Sequence, residues 1–239
     1  MKRTLRYLLP ALALLTTVSC ATYNGAAMQS VGNVAVISIQ CYRSVATGDD
    51  KEWAATAKVW TRAGAFDLAP AAARITTDVF GAFARSLPFK LVGERSLLDS
   101  EAYLGLGSGG ITLLRENEVT VPTGYLPLSL DNRKGITEVI ARFPEVNGFL
   151  WAEVKYTLAK KNTFHGTATA RMRADLTLTI LDRAGRGILR HTESAEDTTD
   201  IQVVAVGMLK LPDISSAAAR ATARVSAEMA RWLEARNTR

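Results

Sequence analysis

The side chains best suited to nucleophilic or metal chemistry are few: Cys20, Cys41, His165 and His191. Metal sites need clustered thiolate or imidazole ligands. None of these four has a second ligand at helical or CxxC spacing. His165, in a connection between strands, and His191, within a strand, read as surface histidines. Asp197 and Asp200 in "EDTTD" could hold calcium weakly, but the loop lacks the glycine and terminal glutamate of an EF-hand. A solvated acidic loop is expected there. Gly107-Ser108-Gly109 misses the G-x-S-x-G nucleophile pattern by one position. Glu116 and Glu118 alternate in a polar stretch, without the apolar pocket that would raise one carboxyl for general-acid work. "GLGSGG", Gly105 to Gly110, fits G-x-G-x-x-G, where a strand should lead into the glycines and a helix N-terminus should take a phosphate. Here a helical segment precedes, "ITLLRENEVTVP" follows, and Asp131 lies at a tolerable distance but in a loop. A flexible loop is expected, with no catalytic residue, cofactor or metal site. Cys20 in "ALLTTVSCAT" is left as a disulfide partner, a metal ligand, a core residue or a lipid attachment point.

The surrounding segment narrows that choice. "MKRTLR" is basic, "YLLPALALL" from Tyr7 to Leu15 is apolar, and "TTVSC" supplies small residues before a cut. This is a secretory signal layout, too short for a membrane span. It resembles the lipobox of bacterial lipoproteins, which implies cleavage between Ser19 and Cys20 and a lipid on Cys20. Ser19 and Val18 fit that pattern. Thr17 stands where leucine is usual, which keeps ordinary secretory cleavage as an alternative. Ala21 is not the aspartate of an inner-membrane retention signal, so outer-membrane sorting is expected. A disulfide between Cys20 and Cys41 is chemically allowed in an oxidising compartment. Cys41, however, follows the apolar run "NVAVISIQ" at an expected strand end, where a lone cysteine packs as a small hydrophobe.

The expected organisation is a signal peptide over 1–19, a lipidated, flexible tether over 20–32 ("ATYNGAAMQSVG" after the cysteine), and one α/β domain over 33–239. That length suits one well-buried domain. The formal charge of +6 falls to +3 without Lys2, Arg3 and Arg6, too mild to indicate a nucleic-acid partner.

Within the domain, "NVAVISIQCY" (Asn33–Tyr42) predicts a buried strand. "DLAPAAARITTDVFGAFARSL" predicts an amphipathic helix with Asp67 near its cap, Pro70 in its first turn and Pro88 beyond its end. "FKLVGE" predicts a second strand, so strand–helix–strand suggests a crossover between parallel strands. A short helix precedes the glycine loop, and "ITEVIARF" is another, stopped before Pro144. "FLWAEVKYTL" predicts a third strand, and "KKNTFHG" links it to "TATARMRADLTLTILD". In that strand Met172, Ala174, Leu176, Leu178 and Ile180 alternate with Arg171, Arg173, Asp175, Thr177 and Thr179, giving one apolar and one wet face. "RAGRG" is a hairpin turn and "ILRHTES" the returning strand. Asp213 is a candidate cap for a last, alanine-rich helix over "ISSAAARATARVSAEMARWLEAR". Its mixed Arg and Glu polar face favours packing on the sheet over lying on anionic lipid.

This order, with "LTLTILDRAGRGILRHTES" and the alanine-rich helix, resembles the α/β domain of several bacterial envelope lipoproteins: the curli-secretion channel lipoprotein, the lipoprotein activators of penicillin-binding proteins, and the N-terminal domain of TolB. Asp182 and Gly185 take the Asp and Gly places of that hairpin, with Ala184 where Thr is common. The resemblance implies an α/β (α+β) mixed sheet of about five strands with helices mainly on one face, anticodon-binding-domain-like. It implies a non-enzymatic, outer-membrane-anchored periplasmic factor that docks on envelope proteins. An alternative is a lipid or small-ligand carrier using "IQVVAVGMLKL", Trp53 and Trp60 around a pocket. An enzyme would need convergent polar groups in a deep cleft. No oligomeric state is indicated.

Overall fold

Alternating apolar residues in one long strand pair dictate the architecture. In the computed structural model, residues 22–46, 66–92, 95–108, 118–164, 167–204 and 211–237 are described. β1 (Thr22–Tyr23), α1 (Gly25–Ser30) and β2 (Asn33–Ala46) come first. α2 (Ala69–Asp78) runs on through a π turn (Val79–Phe83) and Ala84–Ser86 to β3 (Lys90–Val92). The short helices α3 (Arg95–Leu98) and α4 (Glu101–Leu104), β4 (Val119–Thr120) and α5 (Arg133–Ala141) follow. β5 (Gly148–Phe164), β6 (Thr167–Asp182), β7 (Gly187–Glu196), β8 (Ile201–Val204) and α6 (Leu211–Asn237) complete the described chain.

The sheet runs β1-β7-β6-β5-β2-β3, with β4 added to β2 and β8 added to β6. β2 is parallel to β3, as the crossover predicted, and also to β5, and the other pairs are antiparallel. The chain is thus a mixed α/β fold, but with eight strands among the described residues rather than about five. The additions are short segments that carry little periodicity of their own: β1, β4 and β8 have two, two and four residues.

β5 and β6 pair from Gly148–Asp182 out to Phe164–Thr167. The expected seven-residue link is therefore mostly strand. Their apolar residues, including Val154, Leu176 and Leu178, line one face of the sheet. α6 packs against β6 and β7 on that face, and α2 packs against α6. Ala217, Ala218 and Ala221 of α6 are fully buried, which lets helix backbone approach the sheet closely. The packed alternative for this helix holds. It begins at Leu211, so Asp213 lies in the first turn rather than at the cap.

Helices are not confined to that face. At the other, Ile37, Tyr103, Leu106, Leu128 and Ile136 meet, so α4, α5 and the intervening loop cover the β2 end of the sheet. Polar side chains fasten this cover. Tyr103 donates its hydroxyl proton to the Ile37 carbonyl (2.8 Å) and accepts from the Leu126 amide (2.9 Å). Gln40 donates to the Leu128 carbonyl (2.7 Å). On β6 and β7 the same face is polar, as the alternation required, with Arg173, Thr192 and Ser194 exposed and Thr179 buried.

The β6–β7 turn is set by Asp182 and Gly185. Asp182 accepts from the Ala184 and Arg186 amides (2.9 Å each) and pairs with the Arg186 guanidinium (2.7 Å). Gly185 sits at φ +78°, a left-handed conformation natural to glycine. Arg183 donates to the carbonyls of Ala141, Pro144 and Val146 at and beyond the C-terminus of α5. Cations favour that end of a helix.

Candidate functional site

Cys20, the candidate lipid attachment residue, lies outside the described residues, as do His165, Glu116, Trp53 and Trp60. The structure does describe where the chain enters the domain. Thr22 pairs with Arg190 and Tyr23 with Leu189, antiparallel on the β7 edge. α1 follows at once, with the Asn24 side chain accepting from the Ala27 amide (3.1 Å) as its cap. Met28 is 2% exposed and Val31 is buried. The flexible tether expected over 20–32 is therefore corrected: from Thr22 on, the segment is part of the domain. Its small, polar composition hid two anchoring side chains, Tyr23 and Met28.

Tyr23 shares the α6 side of the sheet with Leu189. There it meets Trp232 edge to face, with ring centroids 6.3 Å apart. The Arg236 guanidinium lies 5.0 Å from the Trp232 ring centre and 5.6 Å from that of Tyr23, within cation–π range. On the sheet side, His191 stacks on Trp232 at 3.6 Å with planes 11° apart. Its Nε2 lies 2.6 Å from Glu193 Oε1. His191 is buried, not a surface histidine. The signal was present in its register, since it sits opposite Leu178 in the apolar row. A histidine oriented by a carboxylate could serve as a base. Here Nδ1 meets no hydrogen-bond partner among the described residues. The pair braces the aromatic stack.

The other singled-out residues are structural. Cys41 is a free, fully buried thiol within β2 rather than at its end, and burial pushes its pKa up to about 12. Beside it, burial likewise raises Tyr156, whose hydroxyl shares a 2.9 Å hydrogen bond with Thr222. Asp197, expected in a solvated loop, is 1% exposed and gripped by Arg220 of α6 at 2.7 and 2.9 Å. Asp200 pairs with Arg171. These carboxylates are committed to arginines rather than to calcium. Among the described residues no group of three metal-ligating side chains converges. Gly105 to Ser108 form a 3₁₀ turn directly after α4, so no strand leads into the glycines, and Gly109 and Gly110 lie outside the described residues. Asp131 sits in a 3₁₀ turn, hydrogen-bonded to Ser129.

A cleft of about 370 Å³ opens between α1 and the β6–β7 turn beside Ser30, Asn147, Asp182 and Arg186. Burial alone would raise the Asp182 carboxyl, but hydrogen bonds and charge from Arg186, with the Ala184 amide, hold it below 3.8. On the polar face of β6 and β7, Arg173 bonds Asp175 (2.8 Å) and Ser194 (2.9 Å), and Thr177 bonds Thr192 (2.8 Å). Next to them Tyr42 donates to Glu153 (2.9 Å) beneath Lys155. These side chains bring cations, carboxylates and hydroxyls together on one face of the strands. No described helix is long and apolar enough to cross a membrane.

No protein-family model matches the chain, and no curated protein is significantly similar to it.

Proposed function

We propose that the protein is an outer-membrane-anchored, periplasm-facing lipoprotein whose α/β domain acts by binding other envelope proteins, without catalysis. The observation that carries the reading is the basic, apolar and small-residue layout that ends at Cys20. Several acyl chains on one residue anchor stably where a single chain binds marginally. The resemblance of the strand order and of the Asp182–Gly185 turn to envelope lipoprotein domains supports the location. The polar face of β6 and β7 supports a protein partner, because it offers cations, carboxylates and hydroxyls on a rigid frame. The buried titratable groups support binding over chemistry, since Cys41, Tyr156 and Asp197 are engaged inside the core.

Metabolic labelling with a fatty-acid probe tests the anchor. Wild type takes up label and stays with the membrane, and Cys20→Ala does neither; an unlabelled wild type contradicts the reading. A photo-cross-linker placed at exposed Thr192 tests the partner. Capture of discrete envelope proteins is expected, and a surface that captures nothing counts against the binding role.

A further inference from the structure

Only Ala21 separates Cys20 from Thr22. Two peptide steps reach no further than about 7 Å. With Thr22 hydrogen-bonded to the β7 edge, an acyl group on Cys20 cannot stand off from the domain. It must hold that edge of the sheet at the bilayer surface. The side chains gathered at this edge are those that suit the headgroup region. Tyr23 is 36% exposed. Trp232 is partly exposed at its rim and stacked on its inner face. Arg236 and Arg190 are exposed. Aromatic rings with one wet and one apolar side partition to the membrane interface, and each cation near an anionic surface adds about 1 kcal/mol.

We infer that Tyr23, Trp232 and Arg236 form a second contact with the bilayer that carries the Cys20 lipid, seating the domain edge-on against anionic headgroups. This rests on the lipid-anchor reading above. α6 itself does not lie in the membrane, since Val225, Met229 and Leu233 are buried against the sheet. Only its C-terminal turn reaches the surface. The seating fixes the orientation of the domain, so the polar half of the sheet meets partners at a set angle.

The test uses the full lipidated protein in phosphatidylethanolamine–phosphatidylglycerol vesicles that contain lipid brominated near the headgroup end of its acyl chains. Bromine quenches tryptophan emission only at close range. Wild type is expected to lose part of its emission, Trp232→Phe to lack that quenched component, and Arg236→Glu to retain the fold but show weaker quenching. Detergent-phase partition and intact mass on the same sample report the anchor separately. Protein that is lipidated and vesicle-bound, yet quenched equally in wild type and Trp232→Phe, overturns the second contact alone. Protein without lipid overturns the anchor, and the contact with it.

Discussion

Replacing Met28 by alanine separates an ordered entry segment from a tether. Met28 is 2% exposed and lines a notch with Tyr23, Trp232 and Leu233. Removing a buried methionine side chain costs about 2–5 kcal/mol, depending on how far the site can collapse. This notch opens to solvent, so water and the Trp232 rim can move into the space. The lower part of the range applies, about 2–3 kcal/mol. With a urea slope of about 3 kcal/mol per molar, the unfolding midpoint falls by about 0.7–1 M. The assay is urea unfolding of the mature chain with Cys20→Ser, followed by tryptophan fluorescence. Gln29→Ala on the exposed side of α1 is the control and should stay within about 0.5 kcal/mol of its parent. If Met28→Ala unfolds at the same urea concentration as the control, Met28 is not packed against α6 and the entry segment is not anchored there as described.

Arg220→Met leaves the Asp197 carboxylate buried without its partner. Because the Arg220 side chain is 44% exposed, the loss should be about 2–3 kcal/mol rather than the full cost of breaking an enclosed pair, and Asp197→Asn in the same chain should recover part of it in thermal unfolding. Tyr103→Phe removes one donor and one acceptor that tie α4 and the loop to β2, and should cost about 2 kcal/mol by the same measurement. The Cys41 thiol, with its pKa near 12, should resist alkylation at pH 8 in the folded Cys20→Ser chain and react on unfolding. Asp182 is held below its ordinary 3.8, so its contribution is present above that value and is lost as pH falls through the lower folded pKa. Asp182→Asn should flatten the acid limb of a stability–pH curve below about pH 4.

The central elements were legible because their periods are long and regular. The alternation from Met172 to Ile180 defined β6, and the 3.6-residue spacing around Ile75, Val79 and Phe83 defined α2. Crossover logic supplied the parallel pair. The sequence could not display what depends on pairing across the chain. β1 is a strand only because Thr22 and Tyr23 find the β7 edge. The second helical cover is fastened where Tyr103 and Gln40 reach backbone in distant segments. His191, opposite Leu178, is polar by type and apolar by position, so residue type alone places it at the surface. Its stack on Trp232 joins residues 41 apart in the chain. The candidate site was half visible: Cys20 stood out by its flanking residues, whereas the cluster of Tyr23, Trp232 and Arg236 arises where the first strand meets the last helix.

Lipid at Cys20 is the central claim, and the mass of the mature N-terminal peptide tests it most directly. The expected peptide, taken from membranes of cells expressing the wild-type chain, begins at Cys20 and carries the added mass of acyl chains. A mature chain that begins elsewhere, or begins at Cys20 with a free thiol, contradicts it.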